Sequence, residues 1–205
     1  MKIELKPEQA YDEASARKAT GKSLGDWFAV LDQAGGPAAG RRDLGQLLFA
    51  THKVDPWWSS TILGLYEAAH GLREKDGRKK GYTICSTKSL KTSPQTCYEM
   101  FATATALDRW LGPDHSLDLV EGGSLRNGDG NVATLRKINP GKSIRMLWQQ
   151  PGIGEDTPVE IKFAPSGAKT TVMVTHERLQ TREEADGLRA AWGAALERLK
   201  QLVEG

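Results

Sequence analysis

The sequence predicts an α+β protein: a helix-grip layer, in which an antiparallel sheet wraps a long C-terminal helix, preceded by a small all-α domain. Three observations predict it. Alternating apolar and polar residues, separated by turn chemistry, run through 130–179. After them Leu188, Ala191, Trp192, Ala195, Leu196, Leu199, Leu202 and Val203 recur at i, i+3, i+4, i+7, while Arg189, Glu197, Arg198 and Lys200 take the other side. Before them, 1–71 carries helix punctuation instead of alternation.

In the first part, Pro7 can open a helix that runs past Tyr11 and Ala14 to a stop at Thr20-Gly21. Ser23 and Asp26 form a capping-box pair for a helix over 24–33, which Gly35-Gly36-Pro37 ends. A third helix over 42–51 directs Leu44, Leu47, Leu48 and Phe49 toward a core. Asp55-Pro56 supplies an N-cap and first-turn pair for a fourth, rich in Trp57, Trp58, Ile62, Leu65, Tyr66 and Ala69, that stops at Gly71. Four such helices make a small bundle. Residues 72–81, dense in charge and glycine, read as a solvated linker, with Arg78-Lys79-Lys80 facing water.

The third part, 82–205, opens with a strand over 82–88 and a helix from Ser93-Pro94 to about Trp110, anchored by Tyr98, Met100 and Phe101. Strands are expected over 115–121, 130–138, 142–150, 158–164 and 169–179. The turns at 127–130, 139–141 and 165–167 hold Asn, Gly and Pro, so sequential strands should be antiparallel neighbours. Thr181 and Glu184 then form the capping box of the last helix.

Alternation also separates the faces. Ile144, Met146 and Trp148, then Val159, Ile161 and Phe163, then Val172, Val174 and His176 share the side turned to the last helix. Arg145, Gln149, Glu160, Lys162, Thr171 and Thr175 turn to water. A curved sheet under one helix leaves room for a cavity, and its expected lining is Trp110, Met146, Trp148, Ile161, Phe163, Val174, His176, Leu188, Trp192 and Leu196. His176 continues an apolar side, where an imidazole needs a partner; it reads as a strand-end histidine satisfied by backbone or solvent, as a pocket residue orienting a ligand, or as a catalytic base.

Composition narrows the classes. The chain has 205 residues, 39% hydrophobic and 26% charged, with no apolar run of membrane-spanning length. Residues 1–7 lack the apolar core of a signal peptide, so a cytoplasmic location is expected. A net charge of +2 gives no electrostatic case for nucleic acid. Cys85 and Cys97 read as buried thiols in a reducing compartment. The four histidines have no metal-ligand spacing, and neither a G-x-S-x-G elbow nor a phosphate-cradling glycine loop occurs, so no metal or cofactor is expected.

Leu107-Asp108-Arg109-Trp110-Leu111-Gly112-Pro113, Val120-Glu121-Gly122-Gly123, the turn at 138–142, Trp148 and Thr175-His176-Glu177 occur in that order. Together they resemble the family named for the activator of the heat-shock-protein-90 ATPase, within the START-like (SRPBCC) superfamily. The resemblance implies a helix-grip fold, often with a hydrophobic cavity. Leu111 stands where the signature commonly has a second aromatic, and the Gly often seen shortly after the histidine is lacking. The segments Thr20-Gly21-Lys22, Asp26-Trp27-Phe28, Leu31-Asp32, His52-Lys53-Val54-Asp55, Trp57-Trp58 and Tyr66-Glu67 are similar to a small domain of unknown function found fused to START-like domains; Ser60 stands where that domain typically has glutamine.

The expected function is binding of a small hydrophobic or amphipathic molecule between sheet and last helix. The family resemblance implies an alternative, a module that contacts a chaperone. A cyclase or hydrolase using His176 with a nearby carboxylate is the third reading.

Overall fold

A computed structural model describes residues 1–205. The chain forms two compact units, one comprising Met1–Lys6, Thr83–Leu179 and Glu183–Gly205, the other Pro7–Tyr82 with Gln180–Arg182.

The helical unit holds α1 (Glu13–Thr20), α2 (Leu24–Gln33), α3 (Gly40–Gln46) and α4 (Pro56–Ala69). Each start follows from local chemistry. The Asp12 side chain accepts from Ser15 N, so α1 begins there and not at Pro7. Ser23 and Asp26 make the reciprocal capping box of α2. Asp55 accepts from the amides of Trp57 and Trp58, with Pro56 in the first turn of α4.

The expected third helix is interrupted: α3 passes into a π-helical turn over Leu47–Thr51. That wider turn rotates Phe49 outward, leaving it 54% exposed where helical spacing directed it toward the core. The core of this unit is Ala16, Trp27, Leu31, Leu44, Leu48, Val54, Trp57, Trp58, Ile62, Leu63 and Tyr66. Burial, with Asp32 beside the hydroxyl, pushes the Tyr66 phenol up to about 12.

The segment 72–81 is structured. Arg73 and Lys79 form a bridge, Lys80 pairs with Glu67 at 3.4 Å, and Arg41 donates to the Gly81 carbonyl at 2.7 Å. Glu67 is buried, so its carboxylate draws in both cations and ties the segment to the helices where a solvated linker was expected. Arg182 stacks between the rings of Trp57 and Tyr82, 4.6 and 5.1 Å from their centres, and donates to Ser60 Oγ at 2.9 Å.

The second unit is built on a seven-stranded sheet of order β1-β7-β6-β5-β4-β3-β2: β1 (Tyr82–Leu90), β2 (Ser116–Leu117), β3 (Ser124–Arg126), β4 (Val132–Asn139), β5 (Ser143–Gln149), β6 (Thr157–Ser166) and β7 (Lys169–Leu179). Every pairing from β2 to β7 is antiparallel. A bulge between Leu135 and Lys137 bends β4, adding curvature on the side of the two shortest strands. The long strand expected over 115–121 shrinks to β2, and β3 takes its place in the ladder. In the intervening loop Gly122 N donates to the Leu135 carbonyl. A Cβ on Gly123 would meet the Asp118 carbonyl at 2.2 Å, so only glycine fits that close approach.

The helix expected from Pro94 to Trp110 is two short ones, α5 (Pro94–Glu99) and α6 (Ala104–Asp108), because Thr103 caps a fresh start through Ala106 N. On β1, Ile84 and Ser86 point inward and Cys85 between them is exposed, so only Cys97 is the buried thiol that was expected of both. The closing helix, α7 (Arg182–Glu204), buries Leu188, Trp192, Ala195, Leu196 and Leu199 completely. Facing them, Ile144, Met146, Trp148, Val159, Ile161, Phe163, Val172, Val174 and His176 are all buried, as alternation predicts. No helix is long and apolar enough to cross a membrane.

Candidate functional site

The space between β4, β5, β6 and α7 is nearly filled. What remains is a hollow of about 10 Å³, the volume of roughly one water. Of the residues named from the sequence, Met146, Trp148 and Ile161 from the sheet and Trp192 from α7 line it. Trp110, Phe163, Val174, His176, Leu188 and Leu196 are buried in the surrounding core and do not line it.

Ile144, on the helix-facing side of β5, and Phe101 also line it, and the rest of the wall comes from residues that alternation alone did not assign to it. Leu107 and Leu111 lie at and after α6, Leu117 and Leu119 on and after β2, and Leu125 and Leu135 on β3 and β4. The hollow is therefore displaced toward the edge of the sheet. The signal for this was present in the leucine spacing of 117, 119 and 125, but strands of two and three residues are too short for periodicity to identify.

Three indoles surround this region and each donates to a protein acceptor. Trp110 Nε1 donates to the Met100 carbonyl at 2.9 Å, Trp148 Nε1 to Gln150 Oε1 at 3.0 Å, and Trp192 Nε1 to His176 Nδ1 at 3.3 Å. The last bond fixes the imidazole. With Nδ1 accepting, the neutral ring carries its proton on Nε2, which donates to Thr157 Oγ1 at 2.7 Å; Thr157 in turn donates to the Trp148 carbonyl at 3.0 Å. Burial pushes the His176 pKa down to about 3. Both ring nitrogens are occupied by Thr157 and Trp192, and neither bond is to a carboxylate. This geometry is that of a structural imidazole, and it does not form the acid–base pair that the cyclase or hydrolase reading requires.

A second polar network pins the segment that forms the wall. Asp108 Oδ1 accepts from the backbone and Nδ1 of His115, at 2.7 and 2.8 Å, and these bonds hold its carboxyl below the usual carboxylate range. Asn127 Nδ2 lies 3.4 Å from His115 Nε2 and Asn127 Oδ1 accepts from Asn131. Arg198 of α7 donates to the Trp110 carbonyl at 2.9 Å. Asp108 and Trp110 of the quoted signature thus fasten the α6–β2 connection to the sheet and the helix, while Leu107 and Leu111 of the same stretch face the hollow.

The family model for Activator of Hsp90 ATPase homolog 1-like protein matches residues 91–204, more than half of the chain. The protein belongs to this family. Its match begins after β1, which adds an edge strand beside β7. Among solved structures, CalU16 from Micromonospora echinospora is similar with a TM-score of 0.57 and 17% identity, over 65% of this chain and 71% of that one. The Aha1 dimer from Colwellia psychrerythraea is similar at 0.54 and 24%, over 60% and 96%. An HSP90 activator from Plasmodium falciparum is similar at 0.55 and 16%, over 60% and 97%. At these identities the likeness establishes the helix-grip fold. No curated protein matches.

Proposed function

We propose that this family member binds a small apolar or amphipathic molecule in the hollow under α7, which widens by movement of the segment carrying Leu117 and Leu119. The carrying observation is an all-apolar lining that is closed on one side by half-buried residues of the short edge strand β2 and the loop after it. Leu117 and Leu119 are each partly exposed, and β2 is held by β3 alone. Moving them disturbs the two-residue β2–β3 pairing and the loop bonds of Asp118 and Gly122, whereas moving Ile144 or Ile161 would disturb the centre of the sheet. Met146, unbranched and adaptable, supports a wall that can reshape.

Contact with a chaperone, the alternative that the family's name suggests, would require an exposed patch. The exposed large apolar side chains are Phe49 and Val120, each in a different unit, so the hollow is the better-supported reading. We place this activity in the cytoplasm, a setting that free Cys85 and Cys97 suit.

The test is a panel of alkylbenzenes and medium-chain alcohols followed by tryptophan fluorescence and thermal unfolding. Binding the folded state raises Tm with concentration. A panel that moves neither signal removes the proposal.

A further inference from the structure

We infer that the group entering the hollow is bare hydrocarbon, aliphatic or aromatic, carrying no hydroxyl, carbonyl or charged substituent on its buried part. This rests on the ligand-binding reading and narrows it to a chemical class.

Among the lining side chains the only N–H donors are the indoles of Trp148 and Trp192, and both are already engaged, by Gln150 Oε1 and His176 Nδ1. Their acceptors are themselves fixed. His176 is held in one neutral tautomer by the Trp192 indole and its second nitrogen is taken by Thr157, so it supplies neither a positive charge for a carboxylate nor a free nitrogen for a hydroxyl. The backbone of the lining strands is committed as well, because Leu135, Ile144, Met146, Trp148 and Ile161 sit in the paired ladders of β4, β5 and β6. One buried side-chain donor of this unit has no partner, Gln150 Nε2, and Gln150 does not line the hollow. A polar atom carried into this space would lose its water and gain nothing.

Selectivity follows. A hydrophobic site with no partner for a hydroxyl discriminates against an isostere bearing one by roughly a hundredfold. The polar end of an amphipathic ligand must then stay at the rim formed by Leu117 and Leu119, in contact with water.

p-Xylene and hydroquinone exchange methyl for hydroxyl at both ends of the ring at nearly constant shape, so one substituent is buried whichever end faces the rim. Both should be titrated into the full chain, hydroquinone without oxygen, while the Met146 methyl resonance is recorded. The expected result is a p-xylene-dependent shift of the Met146 methyl, with hydroquinone weaker by roughly a hundredfold. Hydroquinone binding as tightly as p-xylene with the same Met146 shift would overturn this inference and leave the ligand-binding reading standing. Failure of both to move Met146 would overturn the two together.

Discussion

Trp192 donates its indole N–H to Nδ1 of His176 across 3.3 Å, joining the middle of the closing helix to the inner face of β7. A protonated His176 would set N–H against N–H there, in a site already closed to water, so the folded state holds the ring neutral down to about pH 3. An unfolded histidine protonates near its ordinary value of about 6.5. Between those values the unfolded chain binds the extra proton, so this contribution is complete above about pH 6.5 and falls as pH drops through the window, by up to about 1.4 kcal/mol per unit. Urea unfolding of the parent and of His176→Phe from pH 7 to pH 4 should show a flatter profile for the variant. Parallel profiles would contradict the assignment.

Thr157 Oγ1 accepts the hydrogen bond from His176 Nε2–H, and its own hydroxyl donates to the Trp148 carbonyl. Thr157→Val keeps the shape and removes both bonds, leaving buried polar groups unmatched at a cost of about 1–3 kcal/mol. Thr157→Ser should retain most of the stability. Denaturant midpoints of the two variants, at unchanged m, check this ordering.

In the helical unit, Glu67 is 2% exposed, while its partners Arg41 and Lys80 are 36% and 24% exposed. Arg41→Ala leaves a buried carboxylate with Lys80 alone, at 3.4 Å; Glu67→Leu leaves two cations that water can reach. Arg41→Ala is therefore expected to be the costlier change, by about 1–3 kcal/mol. Equal thermal shifts for the two would show that the burial of Glu67 does not govern this cluster.

Around the hollow, Leu125 is 4% exposed and Leu117 only half-buried. Leu125→Ala should lose about 2–5 kcal/mol, as for a core truncation. Leu117→Ala should lose much less and speed association of an alkylbenzene, read by stopped-flow tryptophan fluorescence. An unchanged association rate would place the entry route elsewhere.

Long periodic elements were legible in the sequence. The strand over 169–179, the helix over 24–33 and the stripe of α7 have enough repeats for burial to follow from spacing. The elements that were misread are those decided by a single local bond or by packing: Thr103 restarting a helix at α6, a π-helical turn rotating Phe49 outward, and Glu67 gathering Lys80 from a charged segment. The same division holds at the site. Met146, Trp148, Ile161 and Trp192 sit on long elements, whereas Leu117 and Leu125 sit on strands of two and three residues and Leu119 in the loop after the first of them. His176 was legible as an anomaly. Its partners, Thr157 and Trp192, are brought to it by strand register and helix placement, which spacing alone does not reveal.

The most direct measurement is a crystal structure of the chain with the tightest alkylbenzene bound. The account predicts the ring between Met146, Trp148 and Trp192, with Leu117 and Leu119 displaced outward and the His176–Thr157 bond intact. A ring bound elsewhere, with the hollow still at about 10 Å³, would contradict it.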